Sequence, residues 1–462
     1  MEYTAAQRLD RLPETKFHRR IAAMIAAGLF FDTFDLYLAS SVMAAFTSTR
    51  WATVEQNAQF ASAGAFGALI GAFLAGWLGD LYGRKFSFQF NLLLFGGASL
   101  AAVFVPSMDW LIPLRFIMGI GLGAEIVVAY ATITEFVPPT KRGKWSAILF
   151  FVGTAALPTS NVLGYLLIPA VGWRSMFAIA GLGAMFVWWM RKQLPESPRW
   201  LESKGYIKEA REILDRIEAD VVKDTGAALP VPDVAASVSS TAKFTFGDLF
   251  KPNLLGSTIT GMVLHIVALS SLYGFIVWLP TFLIKQGLSL ETALGHAAQV
   301  SIGALVGVVA GAWWSDKWSR KRSIVLISIV SAVVGYIYAN VGSIESTKLL
   351  GSALIALIYF SAAMGYSAYV PELFPTELRL RGTGISSMAG RAASIVAPQV
   401  VAVLFAANGV TAVTLVLVGL FLIQAVVIGL FGVETNSRSL ESQFAARSGG
   451  TPTVERRVAA DI

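Results

Sequence analysis

The chain of 462 residues has no cysteine, only three histidines, and charge on just 14% of its positions. Without cysteine, disulfides, thiol nucleophiles and cysteine-ligated zinc are excluded. His18, His265 and His296 are scattered, which leaves a histidine metal site without support. No nucleophile motif, metal cluster or phosphate loop is present. Neither an enzyme nor a cofactor is expected. A soluble domain carries roughly 25% charge. Here 55% of residues are hydrophobic and the mean hydropathy is +0.64. Apolar stretches of ~20 residues recur, each long enough to cross a bilayer as a helix. The first, from Ile21, is too long for a signal peptide and reads as a retained span. The composition implies an integral membrane protein in contact with lipid.

A net charge of +7 raises the question of nucleic acid, but the positives sit in short loops. Arg84, Lys85, Lys141, Arg142, Lys144, Lys317, Arg320, Lys321, Arg322, Arg379 and Arg381 fall in alternate loops, and the intervening ones hold only Arg50, Arg174, Lys285 and Lys348. This asymmetry places the basic loops and both termini in the cytoplasm. No nucleic-acid partner is expected.

Twelve spans are expected, near 20–46, 58–79, 87–105, 110–134, 145–170, 173–192, 254–284, 293–315, 322–342, 347–371, 382–406 and 409–433. Residues 1–192 and 254–433 then form two six-helix halves. The polar segment 193–253 joins them, and its stretch GYIKEAREILDRIEADVV has helical periodicity with charges on one face. Residues 224–243 read as flexible linker, and 434–462 as a polar cytoplasmic tail.

The halves repeat each other. Residues 76–85 read GWLGDLYGRK and residues 312–321 read AWWSDKWSRK, placing Asp80 and Asp316 236 positions apart (316 − 80). Glu135-Phe-Val-Pro138 with Arg142 recurs as Glu372-Leu-Phe-Pro375 with Arg379, 237 apart (372 − 135). Two fused membrane halves in parallel orientation are the usual body plan of a secondary transporter, with the substrate between them.

With these repeats, the strings PESPRWL at 195–201, ETNSRSLE at 434–441, RFIMGIGLGAE at 115–125 and DTFD at 32–35 give the chain a resemblance to the major facilitator superfamily over nearly its whole length. The first two look like sugar-porter signatures. The third looks more like niacin and organic-acid porters and synaptic-vesicle glycoprotein relatives. The fourth resembles the DGFD motif of aromatic-acid/proton symporters. The resemblance implies an all-α membrane fold of twelve helices. There are departures. Ala312 and Ser319 replace the glycines found at Gly76 and Gly83, and Val433 stands where a proline is expected. The glutamine pair of sugar porters is replaced by Val267 and Ala268, and their tryptophan by Ser367. An unmatched buried hydroxyl is costly, so the usual hexose site is missing.

An ionisable residue inside a bilayer is a functional hypothesis by default. Asp32 and Asp35 share one helix face, and two carboxylates this close in a low dielectric do not both ionise easily. That suits a proton carrier. Counting depth from the span ends puts Asp35 and Arg115 within reach of each other. The resemblance implies that they form the proton-coupling pair; a static ion pair locking the helices is the alternative. Glu125 is a second proton site or a structural partner of an arginine. His265 and Arg391 are candidates for an anionic substrate, against a helix-bonded histidine and a snorkelling arginine. Phe34, Tyr37, Tyr273, Tyr359 and Tyr366 are candidates for an aromatic pocket. Tyr369 and Trp278 fall on the same spans. Asp80, Arg84, Glu135, Arg142, Asp316, Arg320, Glu372 and Arg379 are expected to gate the cytoplasmic side, with Glu135 paired to Arg142 and Glu372 to Arg379, in pairs that form and break between states.

The expectation is a monomeric transporter that takes up a small organic acid, aromatic or nicotinate-like, driven by a proton gradient. A sugar or sugar-acid symporter is the alternative within the class. A membrane sensor on a transporter scaffold is the alternative outside it.

Overall fold

The computed structural model describes residues 3–232, 246–315, 317–341, 343–365, 369–375 and 378–435. A short amphipathic helix, α1 (Ala5–Asp10), precedes α2 (Lys16–Ser48), α3 (Val54–Tyr82), α4 (Arg84–Ala102), α5 (Met108–Phe136), α6 (Arg142–Val171) and α7 (Arg174–Met190). Between the halves lie α8 (Pro198–Ser203) and α9 (Ile207–Thr225). The second half starts with α10 (Pro252–Ser271), which runs through a π turn at Leu272–Ile276 towards α11 (Leu279–Lys285). Then come α12 (Leu290–Ser315), α13 (Arg320–Asn340), α14 (Ile344–Met364), the single turn α15 (Val370–Glu372) and α16 (Arg379–Phe431). The last is two spans in one run: Asn408 and Gly409 leave the helical region, and Gly409 has φ +68°, where a side chain would be strained. With α10–α11 as one span and α16 as two, the described residues supply twelve spans in two sets of six.

The polar connection behaves as its periodicity requires. Ala210, Leu214, Ile217 and Val221 of α9 are buried, one stripe at helical spacing. Gly226, at φ +66°, closes the helix. Most of the stretch read as linker, residues 233–243, lies outside the described residues, as does the tail from 436.

Within each half one pair of helices packs backbone to backbone. A Cβ on Gly67 or Gly71 of α3 would fall on the carbonyls of Phe116 and Ile120 of α5. Conversely, Gly119 and Gly123 face the carbonyls of Gly64 and Ala68. The second half repeats this: Gly303 and Gly307 of α12 face the carbonyls of Ser352 and Ala356 of α14. The strings are GALIG at 67–71 and GALVG at 303–307, at the 236 offset of the aspartates. Small residues let helices approach where lipid offers no hydrophobic drive.

The halves meet along α6 with α12, α3 with α16, and α2 with α11 and α12. Ser62 donates to the Ile395 carbonyl at 2.8 Å, and Gln399 donates to Ser62 at 3.3 Å. Arg391 donates to the Ala68 carbonyl at 3.3 Å. These contacts run from the middle of the bundle to the end opposite the basic loops.

Candidate functional site

The long helix α2 carries the central residues. Its apolar composition buries it on nearly every side, so Asp32 and Asp35 are 1% and 0% exposed. Arg115 of α5 reaches Asp35 with two donors. Nη1 lies 2.5 Å from Oδ2, and Nη2 donates to the Asp35 carbonyl at 3.1 Å. The guanidinium lies 5.0 Å from the Phe60 ring centroid, a cation–π arrangement. Gly64 leaves it room, since a Cβ there would meet Nε at 2.9 Å. Asp35 Oδ1 is buried without a hydrogen-bond partner among the described residues. One carboxylate oxygen is thus held by the arginine and one is left over, an arrangement that can take a proton without moving the helices.

Next to this pair the halves touch through tyrosines. Tyr37 and Tyr359 share a hydrogen bond between hydroxyls at 2.7 Å. Tyr273, on the π turn, is buried within electrostatic range of Tyr37, Asp35, Arg115 and Arg391. A π turn inside a helix often marks a functional position. His265 hydrogen-bonds through Nδ1 to the Gly261 carbonyl of its own helix at 3.0 Å. Gly390 of α16 packs on the His265 backbone, which brings Arg391 near the histidine. The structure therefore gathers Asp35, Arg115, Tyr37, Tyr273, Tyr359, His265 and Arg391 around one interface. Phe34 stacks on Phe30 at 6.3 Å, in the same buried core as Tyr37, Tyr273 and Tyr359. Tyr366 lies outside the described residues.

Glu125 does not stand alone. It pairs with Arg191 at 2.5 Å, and both are buried. Arg191 lies at the end of the sixth span, and the sequence pattern alone does not point to it as the partner of Glu125. A basic residue within a span was the available signal.

At the basic end the structure corrects both expected pairings. Glu135 is bound by Arg84, at 3.0 and 2.9 Å, and not by Arg142. Arg142 begins α6 beyond the turn Pro139–Lys141 and reaches Asp10 of the N-terminal segment at 3.1 Å. Glu135 ends α5 beside the start of α4, so Arg84 is the nearer cation. Arg84 also pairs with Asp80 at 3.1 Å. Glu372, expected with Arg379, pairs with Arg320, the same partnership in the second copy. Arg379 sits at the first turn of α16. Asp316 lies outside the described residues.

Two further carboxylates in these networks were not singled out from the sequence. Glu196 of PESPRWL accepts from the backbone amides of Arg84, at 2.8 Å, and Lys85, at the start of α4, where negative charge is favoured. Burial pushes its carboxyl above the usual range, against those amides. Glu434 accepts from the Arg320 amide at 3.1 Å and from the Ser319 hydroxyl. Glu196 and Glu434 are 238 positions apart (434 − 196), so the repeat itself was the missed signal. Gly83, at φ +93°, leaves space for Glu196. In the second copy Ser319 replaces that glycine and supplies a hydroxyl donor instead.

The N-terminal segment straps α9 to the first half. Arg8 donates to Glu218 at 2.9 and 2.8 Å, and Arg11 at 2.7 Å. Asp10 receives Arg199 at 2.6 Å as well as Arg142. Burial opposes the Glu218 charge, but the two arginines prevail and hold its carboxyl below the usual range. A carboxylate depressed in the folded state stabilises above its free value and loses that contribution as pH falls through the folded value. The strap should therefore hold at neutral pH and loosen only under acid conditions, below the ordinary glutamate range. Hydrogen exchange of residues 4–11 as a function of pH checks this. Protection that fails at neutral pH would contradict it.

Comparison with known proteins agrees with this architecture. Residues 21–445 match the family described as "Sugar (and other) transporter". The inner membrane metabolite transport protein YdjE of Escherichia coli (strain K12) is 38% identical over 442 residues, 94% of this chain and 97% of that protein. The niacin transporter NiaP of Acinetobacter baylyi is 29% identical over 438 residues, 94% and 98% of the two chains. Among solved structures, the inward open conformation of the xylose transporter XylE from E. coli superposes with a TM-score of 0.70 at 17% identity, covering 93% of this chain and 99% of that one. The chain belongs to the sugar (and other) transporter family: it is a multi-pass membrane protein of the major facilitator fold and a secondary transporter of a small molecule, not an enzyme.

Proposed function

We propose that this transporter couples inward proton movement to uptake of a small organic acid, of the aromatic monocarboxylate class, across a bacterial inner membrane. The observation that carries the reading is the Asp35–Arg115 pair set beside Tyr37, Tyr273, Tyr359 and Arg391 where the halves meet. Tyrosines offer a ring face and a polar tip, and arginine is suited to a carboxylate. The two positions where sugar porters carry glutamines hold the apolar Val267 and Ala268, and Val267 is buried in the core. The niacin transporter among the relatives supports an aromatic acid. The basic loops and both termini face the cytoplasm, so the halves are joined on the outer side and the state is inward-facing. Substrate return then requires the outer contacts of Ser62, Gln399 and Arg391 to break. On this reading Asp80, Arg84 and Glu135, and Arg320, Glu372 and Arg379 in the second copy, brace the inner end of each half while it rocks. Arg142 braces the N-terminal strap.

A thermal-shift screen of the purified protein tests the substrate class, using nicotinate, benzoates, aliphatic acids, sugars and sugar acids at two pH values. A ligand at one hundred times its Kd stabilises by about 2.7 kcal/mol. Aromatic acids should raise the melting temperature, more so at the lower pH. A rise with sugars alone would replace this reading with the sugar-symport one.

A further inference from the structure

A second buried charge cluster lies closer to the basic end than Asp35, where α2, α5 and the end of α7 meet. The Arg191 guanidinium is held on three sides. Nε donates to the Met24 carbonyl at 2.9 Å, Nη2 donates to the Ile25 carbonyl at 2.8 Å, and Nη1 lies 2.5 Å from Glu125 Oε1. Its carbon sits 4.4 Å from the Phe88 ring centroid of α4. Gly28 makes the space, since a Cβ there would fall on the guanidinium and on Glu125 Oε1. Asp32, one turn along α2 from Gly28, lies in the field of both Glu125 and Arg191.

The charges in this cluster do not cancel. It holds two carboxylates and one guanidinium, all at most 1% exposed. The next charges along α2 and α5, Asp35 and Arg115, already balance each other. Lys192, the residue after Arg191, sits over the Trp188 ring. From α4 the uncharged Phe88 ring packs over the guanidinium. Asp32 Oδ2 and both Glu125 oxygens are buried without an aligned hydrogen bond among the described residues. An uncompensated charge in a dry interior is strongly unfavourable, and one proton removes it.

We propose that Asp32, Glu125 and Arg191 form a proton-binding site, separate from the Asp35–Arg115 pair, which holds one proton between its two carboxyl groups in the state seen here. Loss of that proton leaves the cluster net negative and in need of water. Proton release is thereby tied to loosening of the contact that Arg191 makes with α2. This extends the proton-coupled reading by a second proton; a monovalent anion entering with two protons carries net positive charge inward.

Infrared spectroscopy of the reconstituted protein at neutral pH tests the site without a substrate. The wild type should show a protonated-carboxyl carbonyl band that survives in Asp35→Asn. Asp32→Asn and Glu125→Gln should each lose it, because either substitution removes the excess negative charge and leaves an ordinary ion pair. Both preserve side-chain volume, and either alone suffices should the other fail to fold. Spectra of both variants that superimpose on wild type in this region would overturn the proposal. So would loss of the band in Asp35→Asn alone, which would move the proton to the Asp35–Arg115 pair and leave the coupling assignment intact.

Discussion

Asp35→Asn should collapse uphill accumulation of substrate while leaving exchange of substrate across the membrane. The asparagine carbonyl still accepts from Arg115, so the 2.5 Å ion pair is replaced by a hydrogen bond to a neutral acceptor and the helices stay in place. What is lost is a group that changes charge during the cycle. Without it the carrier can still bind, rock and release, but the Asp35 proton no longer helps to drive the direction. The stranded Arg115 limits how benign the change can be. Removing one partner of a buried pair outright costs about 3–5 kcal/mol, and Asn recovers part of this through its acceptor. The size of the effect on accumulation follows from what each proton contributes. One net charge moving across 100 mV is worth about 2.3 kcal/mol, or about 50-fold in concentration at 1.36 kcal/mol per decade. Accumulation by the wild type should therefore collapse by an order of magnitude or more in the variant, measured as the steady-state internal ratio in proteoliposomes. Counterflow in the same vesicles should persist. Uphill uptake retained at the wild-type level would remove Asp35 from the coupling role. Loss of counterflow as well would mean that the pair holds the fold and not the proton.

The features legible in the sequence were those that lipid or helical periodicity enforces. Each crossing needs ~20 apolar residues, which is why the spans, even the pair divided at Asn408–Gly409, were readable within a few residues. The α9 stripe was readable for the same kind of reason. The Asp35–Arg115 contact followed from counting depth along two antiparallel helices. Partner choice at the basic end did not follow. Glu135 has Arg142 seven residues on and Arg84 fifty-one residues back, and sequence proximity favours the first. The structure selects the second, because Glu135 ends α5 beside the start of α4 while α6 leaves in another direction. The Glu125–Arg191 pair was hidden for a related reason. Hydropathy shows which residues are in the membrane but not which faces of α2, α5 and α7 point at each other, and that depends on Gly28 being empty. The Asp10 contacts with Arg142 and Arg199 join residues more than 130 positions apart, beyond the reach of any local pattern.

The same substitution, glycine to alanine, should act in opposite directions at Gly71 and Gly97. Both lie inside helices. On propensity alone alanine is better in a helix interior by up to about 1 kcal/mol. At Gly97 a Cβ meets nothing within 4 Å, so Gly97→Ala should leave the melting temperature unchanged or slightly raised. At Gly71 the Cβ would collide with the Ile120 carbonyl oxygen, with the Ile120 carbonyl carbon at 2.7 Å and its Cα at 2.9 Å. These are backbone atoms of a neighbouring helix and cannot rotate away as a side chain would. The only relief is separation of α3 from α5 along the whole Gly64–Gly71 stretch, which also opens the seat of Arg115 against Gly64. Close packing lost along one of the main helix contacts belongs with the rare substitutions that cost more than about 4 kcal/mol. Gly71→Ala should therefore fail to give a monodisperse protein in detergent, or should melt far below wild type. Gly307→Ala should behave alike, because the duplicated string puts Gly307 on the Ala356 carbonyl. A Gly71→Ala protein that melts with wild type would show that α3 and α5 can slide apart. The two halves could not then move as rigid bodies, and the rocking mechanism itself would need to be replaced.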